Sequence, residues 1–218
     1  MLVNNINITI TPNDQENIFH IDKTCNLLEG KLDLTKFIKS QPLTTRCSYQ
    51  QNESEEQIKP FILDCLPEGL SGYGHALINT HFSDIQYYRT WICDLAFEIV
   101  RLRFYPNKPS RFSCLYACTD DSLAQHISNL DLAGKQFKVF RVELPGKEYW
   151  HKGDSKWLDN AFSVANCLYN ARYYWAGEPR LDAFSNRPAW EYLITNNVEL
   201  THLLTQAELD AVLEAYPF

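Results

Sequence analysis

The spacing of apolar positions changes between two periods along the chain, which indicates a protein built from both strands and helices. Short apolar or alternating runs, typical of β-strands, occur at residues 17–21, 111–118, 137–144 and 190–195. These runs are separated by long polar or helical stretches, so we expect an α+β protein and not the regular βαβα order of a doubly wound sheet.

The clearest helix is predicted over residues 85–104, because apolar residues recur there at steps of three and four. That stripe consists of Ile85, Tyr88, Ile92, Leu95, Ile99 and Leu102. Pro106 and Pro109 end the pattern.

Further helices are predicted from capping residues and apolar spacing. The first is a short helix from Asp22 to Gly30, and the second is capped by Asp120 or Asp121 and runs through Leu130. The third covers residues 155–169, and the last begins after Thr205. Thr205 with Glu208 forms a capping box, and the apolar face of that last helix carries Leu209, Val212, Leu213 and Tyr216.

Composition narrows the class of protein. The chain has 218 residues, of which 45% are apolar and 22% charged, so a folded protein with a substantial core is expected. No segment approaches the roughly 20 apolar residues of a membrane helix, and the N-terminus lacks the basic and apolar regions of a secretory signal. The net charge of −7 argues against a general nucleic-acid coat.

The seven cysteines have no framework spacing and lie in apolar contexts. We interpret them as reduced, mostly buried thiols, which favours the cytosol as the working compartment. Cys114 with Cys118 and His75 with His81 have no second pair to complete them, so no metal site is expected. The GxGxxG, GxxxxGK[ST], GxSxG and HExxH motifs do not occur in the sequence.

Three segments, taken in chain order, carry the candidate chemistry. The first is Phe19-His20-Ile21 on a strand. The second is Leu115-Tyr116-Ala117-Cys118, followed by Ser122-Leu123-Ala124-Gln125-His126-Ile127. The third is Trp190-Glu191-Tyr192-Leu193-Ile194.

This order resembles the His–Tyr–Glu class of ADP-ribosyltransferases, the PARP-like and diphtheria-toxin-like group. In that group a strand carries the His, a later strand carries a Tyr just before a helix, and a final strand carries the Glu. A Pro-Ser-Arg-Phe segment at 109–112 and a Tyr-Trp segment at 174–175 resemble uncharacterised bacterial PARP-like domains. The resemblance implies one domain over residues 1–218 with a split, mixed sheet and an insertion at about 31–104 that holds the 85–104 helix.

The resemblance also implies roles for individual residues. Glu191 would bind the ribose hydroxyl of NAD and stabilise an oxocarbenium-like state. Tyr116 would stack on the nicotinamide ring. His20 would bind a ribose hydroxyl, and Arg111 would pair with the pyrophosphate.

Other positions of the implied NAD site depart from the family pattern or remain alternatives. Ile21 stands where many members have a Gly that grips the carboxamide, and Tyr174 would form part of the wall of the NAD site. Arg111 with Ser113 is an alternative first member of the triad to His20. Ala189 stands two residues before Glu191, which disfavours arginine-directed modification.

The function expected from the resemblance is NAD-dependent mono-ADP-ribosylation of a macromolecule by a bacterial toxin or effector. NAD would be a substrate, and the acceptor would more often be protein than nucleic acid. The site of action would be the bacterial cytosol, or the host cytosol for a secreted effector. The alternatives are a degenerate partner-binding module and an NAD-dependent RNA 2′-phosphotransferase.

Overall fold

A computed structural model describes residues 16–34, 69–71, 74, 85–130, 132, 135–159, 163–180 and 187–216. Most of the proposed insertion at 31–104 therefore lies outside the described residues. Within the described part of the chain, helices and strands form an α+β fold.

The described strands form one seven-stranded sheet. They are β1 (Ile18–Asp22), β2 (Gly30–Leu32), β3 (Leu115–Thr119), β4 (Lys138–Glu143), β5 (Trp150–Asp154), β6 (Trp190–Ile194) and β7 (Val198–Leu203). Their order is β2-β7-β4-β1-β3-β6-β5. Every pairing is antiparallel, so the prediction of a mixed sheet is wrong.

The centre of the sheet is held together by very few pairs. Strand β1 pairs with β3 only at Ile18–Thr119 and Phe19–Cys118, whereas it pairs with β4 at four positions. We call β2-β7-β4-β1 the first ladder and β3-β6-β5 the second ladder. The two ladders are therefore joined through a narrow junction.

The described helices with full bounds are α1 (Ile85–Phe104), α2 (Asp120–Asn129), α3 (Val164–Ala176) and α4 (Gln206–Ala215). The prediction of α1 is confirmed at both ends. The capping box of Thr205 and Glu208 before α4 is also confirmed. Helix α2 begins one or two residues earlier than predicted, because Thr119, and not Asp120 or Asp121, is its N-cap residue.

Two helix predictions are wrong. Residues 155–158 form a single 3₁₀ turn, and α3 begins only after Ser163, whose hydroxyl accepts from the Asn166 amide. No helix follows Asp22 in the described residues 23–29. Instead, the Asp22 carboxylate accepts from the backbone of Thr24 and Leu27 and closes a tight turn.

The helices cover one face of the sheet in two groups. Helices α1 and α3 pack over the second ladder around Phe97, Tyr174, Trp175 and Leu193. Helices α2 and α4 pack over β1, β3 and β4, with Phe19, Leu123 and Leu209 in contact. The opposite face carries a separate core.

Candidate functional site

Tyr116 and Glu191 lie on the same face of the sheet, where the two groups of helices meet. In the antiparallel pairing of β3 with β6, Cys118 faces Glu191 and Tyr116 faces Leu193. Directly paired residues point to one side, so all four share a face. Cys118 belongs to the α2–α4 core and Leu193 to the α1–α3 core. The two predicted residues are therefore brought together.

Glu191 is 5% exposed and its contacts all fall on one oxygen. Oε1 accepts from Arg111 Nη1 and, at 2.6 Å, from the Tyr174 hydroxyl. No described residue hydrogen-bonds to Oε2. A buried carboxylate oxygen without a donor is costly, so Oε2 is a ready acceptor for a ligand hydroxyl.

Arg111 is the centre of a buried network. Its Nε binds Asp94 Oδ1 of α1 at 2.8 Å, and its Nη1 lies 2.8 Å from the Tyr174 hydroxyl. Burial would lower the pKa of Arg111, but Glu191, Tyr116, Tyr174 and Asp94 together raise that pKa well above its usual value. The guanidinium therefore stays charged and serves three protein groups in a buried site.

The same network shifts the pKa of the Tyr174 hydroxyl. This side chain is fully buried, and burial followed by the charge of Glu191 raises the pKa of its hydroxyl well above the usual value. The hydroxyl therefore donates as a neutral phenol. The structure places Tyr174 against the carboxylate, as a partner of Glu191.

Tyr116 is partly exposed. Its hydroxyl donates to the Arg111 carbonyl at 2.7 Å, and the Arg111 guanidinium lies 5.2 Å from the centre of its ring. The ring is therefore held in one orientation by the turn that precedes β3. A fixed, partly exposed aromatic ring is suited to stacking against a flat ligand.

His20 lies on the other face of the sheet. Its direct partner on β4 is Phe140, which belongs to the core opposite the helices. The Nδ1 atom of His20 lies 2.7 Å from the Tyr116 carbonyl oxygen, beyond the last β1–β3 pair. Burial lowers the pKa of His20, so its neutral ring holds the junction between the two ladders. The structure does not bring His20 to Glu191.

Of the remaining predicted site residues, Ile21 lies on the same face as Glu191 and Ser113 does not contact the carboxylate. Ile21 pairs with Val139 and shares the face of Glu191 and Tyr116. Ser113 is 1% exposed, and its hydroxyl donates to the Gly69 carbonyl. Ser113 therefore anchors a loop and does not face the carboxylate through any described contact.

Helix α2 holds the first residue of β6 from two sides. The Ser122 hydroxyl accepts from the Trp190 amide at 2.9 Å, and His126 Nε2 lies 3.3 Å from the Trp190 carbonyl oxygen. Trp190 immediately precedes Glu191. The position of the carboxylate along the strand thus depends on α2.

Asp94, Ser122 and His126 were not assigned to the site from the sequence. Asp94 lies in the strongly apolar helix α1 and is 1% exposed. A buried acid requires a partner, so an acidic residue inside such a pattern was the available signal. Ser122 and His126 lie in the segment after Tyr116 that contributes to the resemblance, but the sequence does not reveal that their partners are backbone atoms of a distant strand.

The described residues contain no group of three or more His, Cys, Asp or Glu side chains able to hold a metal ion. Of the five described cysteines, Cys93, Cys114, Cys118 and Cys167 are buried and Cys25 is half-buried, all as free thiols. Burial raises the pKa of Cys93, Cys114 and Cys118, so these thiols are poor nucleophiles. None of the described helices is long and apolar enough to cross a membrane.

Most of the chain matches a known protein family. A family model described as "Protein of unknown function (DUF2441)" covers residues 7–206, which is most of the chain. The chain belongs to this family. No curated protein matches the sequence. The family description assigns no chemistry to the site.

The arrangement combines a fixed aromatic ring with a buried carboxylate, one oxygen of which has no hydrogen-bond donor among the described residues. The carboxylate can accept a hydroxyl hydrogen and stabilise positive charge that develops near it. Arg111 and Tyr174 restrict it to one orientation. Such a pair suits a substrate that offers both a flat ring and a sugar hydroxyl.

Proposed function

We propose that this DUF2441 protein is an NAD-dependent mono-ADP-ribosyltransferase that modifies a macromolecular acceptor. The supporting observation is that Tyr116 and Glu191 lie on one face of neighbouring strands, with α2 directly after the strand of Tyr116. This is the strand context in which the His–Tyr–Glu class carries its Tyr and Glu.

In the proposed reaction, the nicotinamide ring stacks on Tyr116 and a ribose hydroxyl donates to Oε2 of Glu191. Cleavage of the nicotinamide–ribose bond builds positive charge on the sugar, which the carboxylate stabilises. The narrow β1–β3 junction supports a split sheet as the frame of this site. The buried, free thiols among the described cysteines support action in the cytosol, as for a bacterial toxin or effector.

We assign His20 and Arg111 roles that differ from those that the resemblance implies. His20 faces away from Glu191, so we assign it to the junction between the ladders. Arg111 is 4% exposed and bound to Asp94, Tyr174 and Glu191, so we assign it to the carboxylate and not to the pyrophosphate.

A second candidate is the degenerate partner-binding module. The specific observation in its favour is the Arg111–Glu191 ion pair, which already neutralises the carboxylate. Breaking a buried pair by removing one partner is expensive, about 3–5 kcal/mol, so Glu191 could be retained for stability alone. The two candidates predict different effects of the same substitution.

Glu191→Gln keeps the shape of the side chain and removes its charge. We expect it to bind NAD but to lose at least about 100-fold in nicotinamide release, as is usual for loss of one preorganised electrostatic group. The measurement is incubation with labelled NAD, with and without cell lysate, scoring free nicotinamide and label on macromolecules.

Glu98→Gln is the matched control. Glu98 is also a buried carboxylate, 7% exposed, and is paired with a buried arginine, Arg101. Loss of folding by both variants, without NAD turnover in the native protein, would support the partner-binding candidate. Loss of turnover in Glu191→Gln alone supports the transferase.

A further inference from the structure

The described histidines differ in what their ring nitrogens contact. His151 is 2% exposed, with Nε2 lying 3.0 Å from the Tyr174 carbonyl. His20 lies on the opposite face from Glu191, and His202 is exposed and bound to Glu208. His126 alone among them combines partial exposure with a hydrogen bond to Trp190, the residue that immediately precedes Glu191.

The tautomer of His126 follows from its hydrogen bond. A carbonyl oxygen only accepts, so the Nε2 atom facing Trp190 carries the hydrogen. The Nδ1 atom of a neutral ring then holds a lone pair. No described residue bonds to Nδ1. His126 therefore carries an unused base on a ring that its Nε2 atom holds at Trp190, the residue before Glu191.

We propose that His126 is the general base that removes the proton from an acceptor hydroxyl during transfer. The inference rests on the proposed function and extends it to the class of acceptor. A hydroxyl group must lose a proton when it is ADP-ribosylated, whereas a carboxylate acceptor needs no base. The site is thus suited to an alcohol acceptor.

The proposed step exchanges nicotinamide for the acceptor oxygen at the ribose. The nicotinamide–ribose bond breaks and its electron pair leaves with the nicotinamide nitrogen. The acceptor oxygen bonds to the anomeric carbon of the ribose, and its proton moves to Nδ1 of His126. The imidazolium then releases this proton to water, which restores the base.

The charged groups that act on the imidazole come from three places in the fold. Burial lowers the pKa of His126; Glu191 on β6 and Asp154 on β5 oppose this effect, while Arg111 before β3 adds to it. The ring is consequently neutral at pH 7 and able to accept a proton. Transfer should decline only as the pH falls below about 6.5, the ordinary pKa of histidine.

Methanol is a suitable probe, because it is the simplest alcohol acceptor. The full-length protein is incubated with NAD and methanol, and methyl ADP-riboside and nicotinamide are measured across the pH range. His126→Gln keeps a donor for the Trp190 carbonyl but is no base. We expect it to bind NAD normally and to form methyl ADP-riboside at least about 100-fold more slowly.

Two further variants separate catalysis from structure. His126→Ala should lose transfer to methanol and recover part of it when imidazole is added, which a merely structural role would not produce. His202→Gln is the matched control, since His202 pairs with Glu208 and lies outside the site. It should retain the native rate and pH profile.

These experiments distinguish failure of the His126 assignment from failure of the proposed function. Native methanol transfer in His126→Gln, or no recovery of His126→Ala with imidazole, overturns the assignment of His126. If the native protein is active and Glu191→Gln is not, the proposed function stands independently of that result. A native protein that never releases nicotinamide overturns the proposed function and this inference with it.

Discussion

Glu191 depends on the position of one phenol, and that phenol depends on one glycine. Tyr174 donates to Glu191 at 2.6 Å and packs across β5 at Gly153. A Cβ atom at Gly153 would lie 2.5 Å from the Tyr174 ring, closer than atoms can approach. The ring is fully buried and has little room to move. Gly153 therefore allows the contact between Tyr174 and Glu191.

Gly153→Ala should destabilise the protein by about 1–3 kcal/mol, because it overpacks the core against Tyr174. Urea denaturation measures the effect. Gly146→Ala is the control: its Cβ would meet only the flexible end of Glu148, so it should stay within about 0.5 kcal/mol of the native protein. Equal stability of both variants would contradict the role of Gly153.

For individual residues, the sequence predicts which strands carry the site, but not which face of the sheet each side chain occupies. Tyr116 and Glu191 share a face through the β3–β6 register, while His20 is turned away by one residue relative to Phe19. A shift of one residue reverses the face of a strand side chain. The register is set by pairing between distant segments, and no local pattern around His20 reveals it.

Among the elements, α1 has a buried face that the sequence does not reveal, because that face carries charged residues in buried ion pairs. The bounds of α1 follow from its sequence, but the predicted stripe faces outward at Ile99 and Leu102, which are 60% and 59% exposed. The buried face instead includes Asp94, Glu98 and Arg101. Glu98 pairs with Arg101, and Asp94 pairs with Arg111. In the sequence, the charges of Glu98 and Arg101 resemble a solvated surface.

The strands that were missed have physical explanations as well. Strand β5 reads Trp-His-Lys-Gly-Asp, yet His151, Gly153 and Asp154 are buried. Asp154 accepts from the amides of Lys156, Arg180 and Ala189, so a polar residue organises three segments there. Strand β2 is only three residues long. Only β7 shows a usable alternation, with Val198 and Leu200 buried between exposed residues.

The capping box of α4 gives a prediction for a single element. The Thr205 hydroxyl accepts from the Glu208 amide, and the Glu208 carboxylate accepts from the Thr205 amide at 2.8 Å. Thr205→Ala should cost about 1 kcal/mol of unfolding free energy. Thr205→Ser retains the hydroxyl and should stay near the native value in the same denaturation experiment. A native-like Thr205→Ala would contradict this account.

For the whole molecule, three imidazoles with lowered pKa values contribute to the loss of stability in acid. Burial lowers the pKa of His20 and His126, and lowers that of His151 to about 3. The unfolded chain binds protons on these rings below about pH 6.5, whereas the folded chain resists them. Stability is therefore full above about pH 6.5. It declines as the pH falls from there toward 3.

His151→Gln should flatten this decline by about 1.4 kcal/mol per pH unit within that window. It should also lower stability at neutral pH, since the ring lies 5.4 Å from Tyr174 and 5.0 Å from Trp175. Denaturation midpoints measured from pH 7 to pH 4 give the slope. His202→Gln, at an exposed imidazole, serves as the control; an unchanged slope in His151→Gln would refute the prediction.

The two ladders joined at the narrow junction are interlaced along the chain. Strands β1 and β2 belong to the first ladder, β3 to the second, β4 to the first, β5 and β6 to the second, and β7 to the first. No continuous stretch of sequence contains either ladder alone. Recombination between relatives therefore cannot exchange one half of the molecule as a module. New specificity would have to arise from substitutions and loop changes within a frame inherited whole.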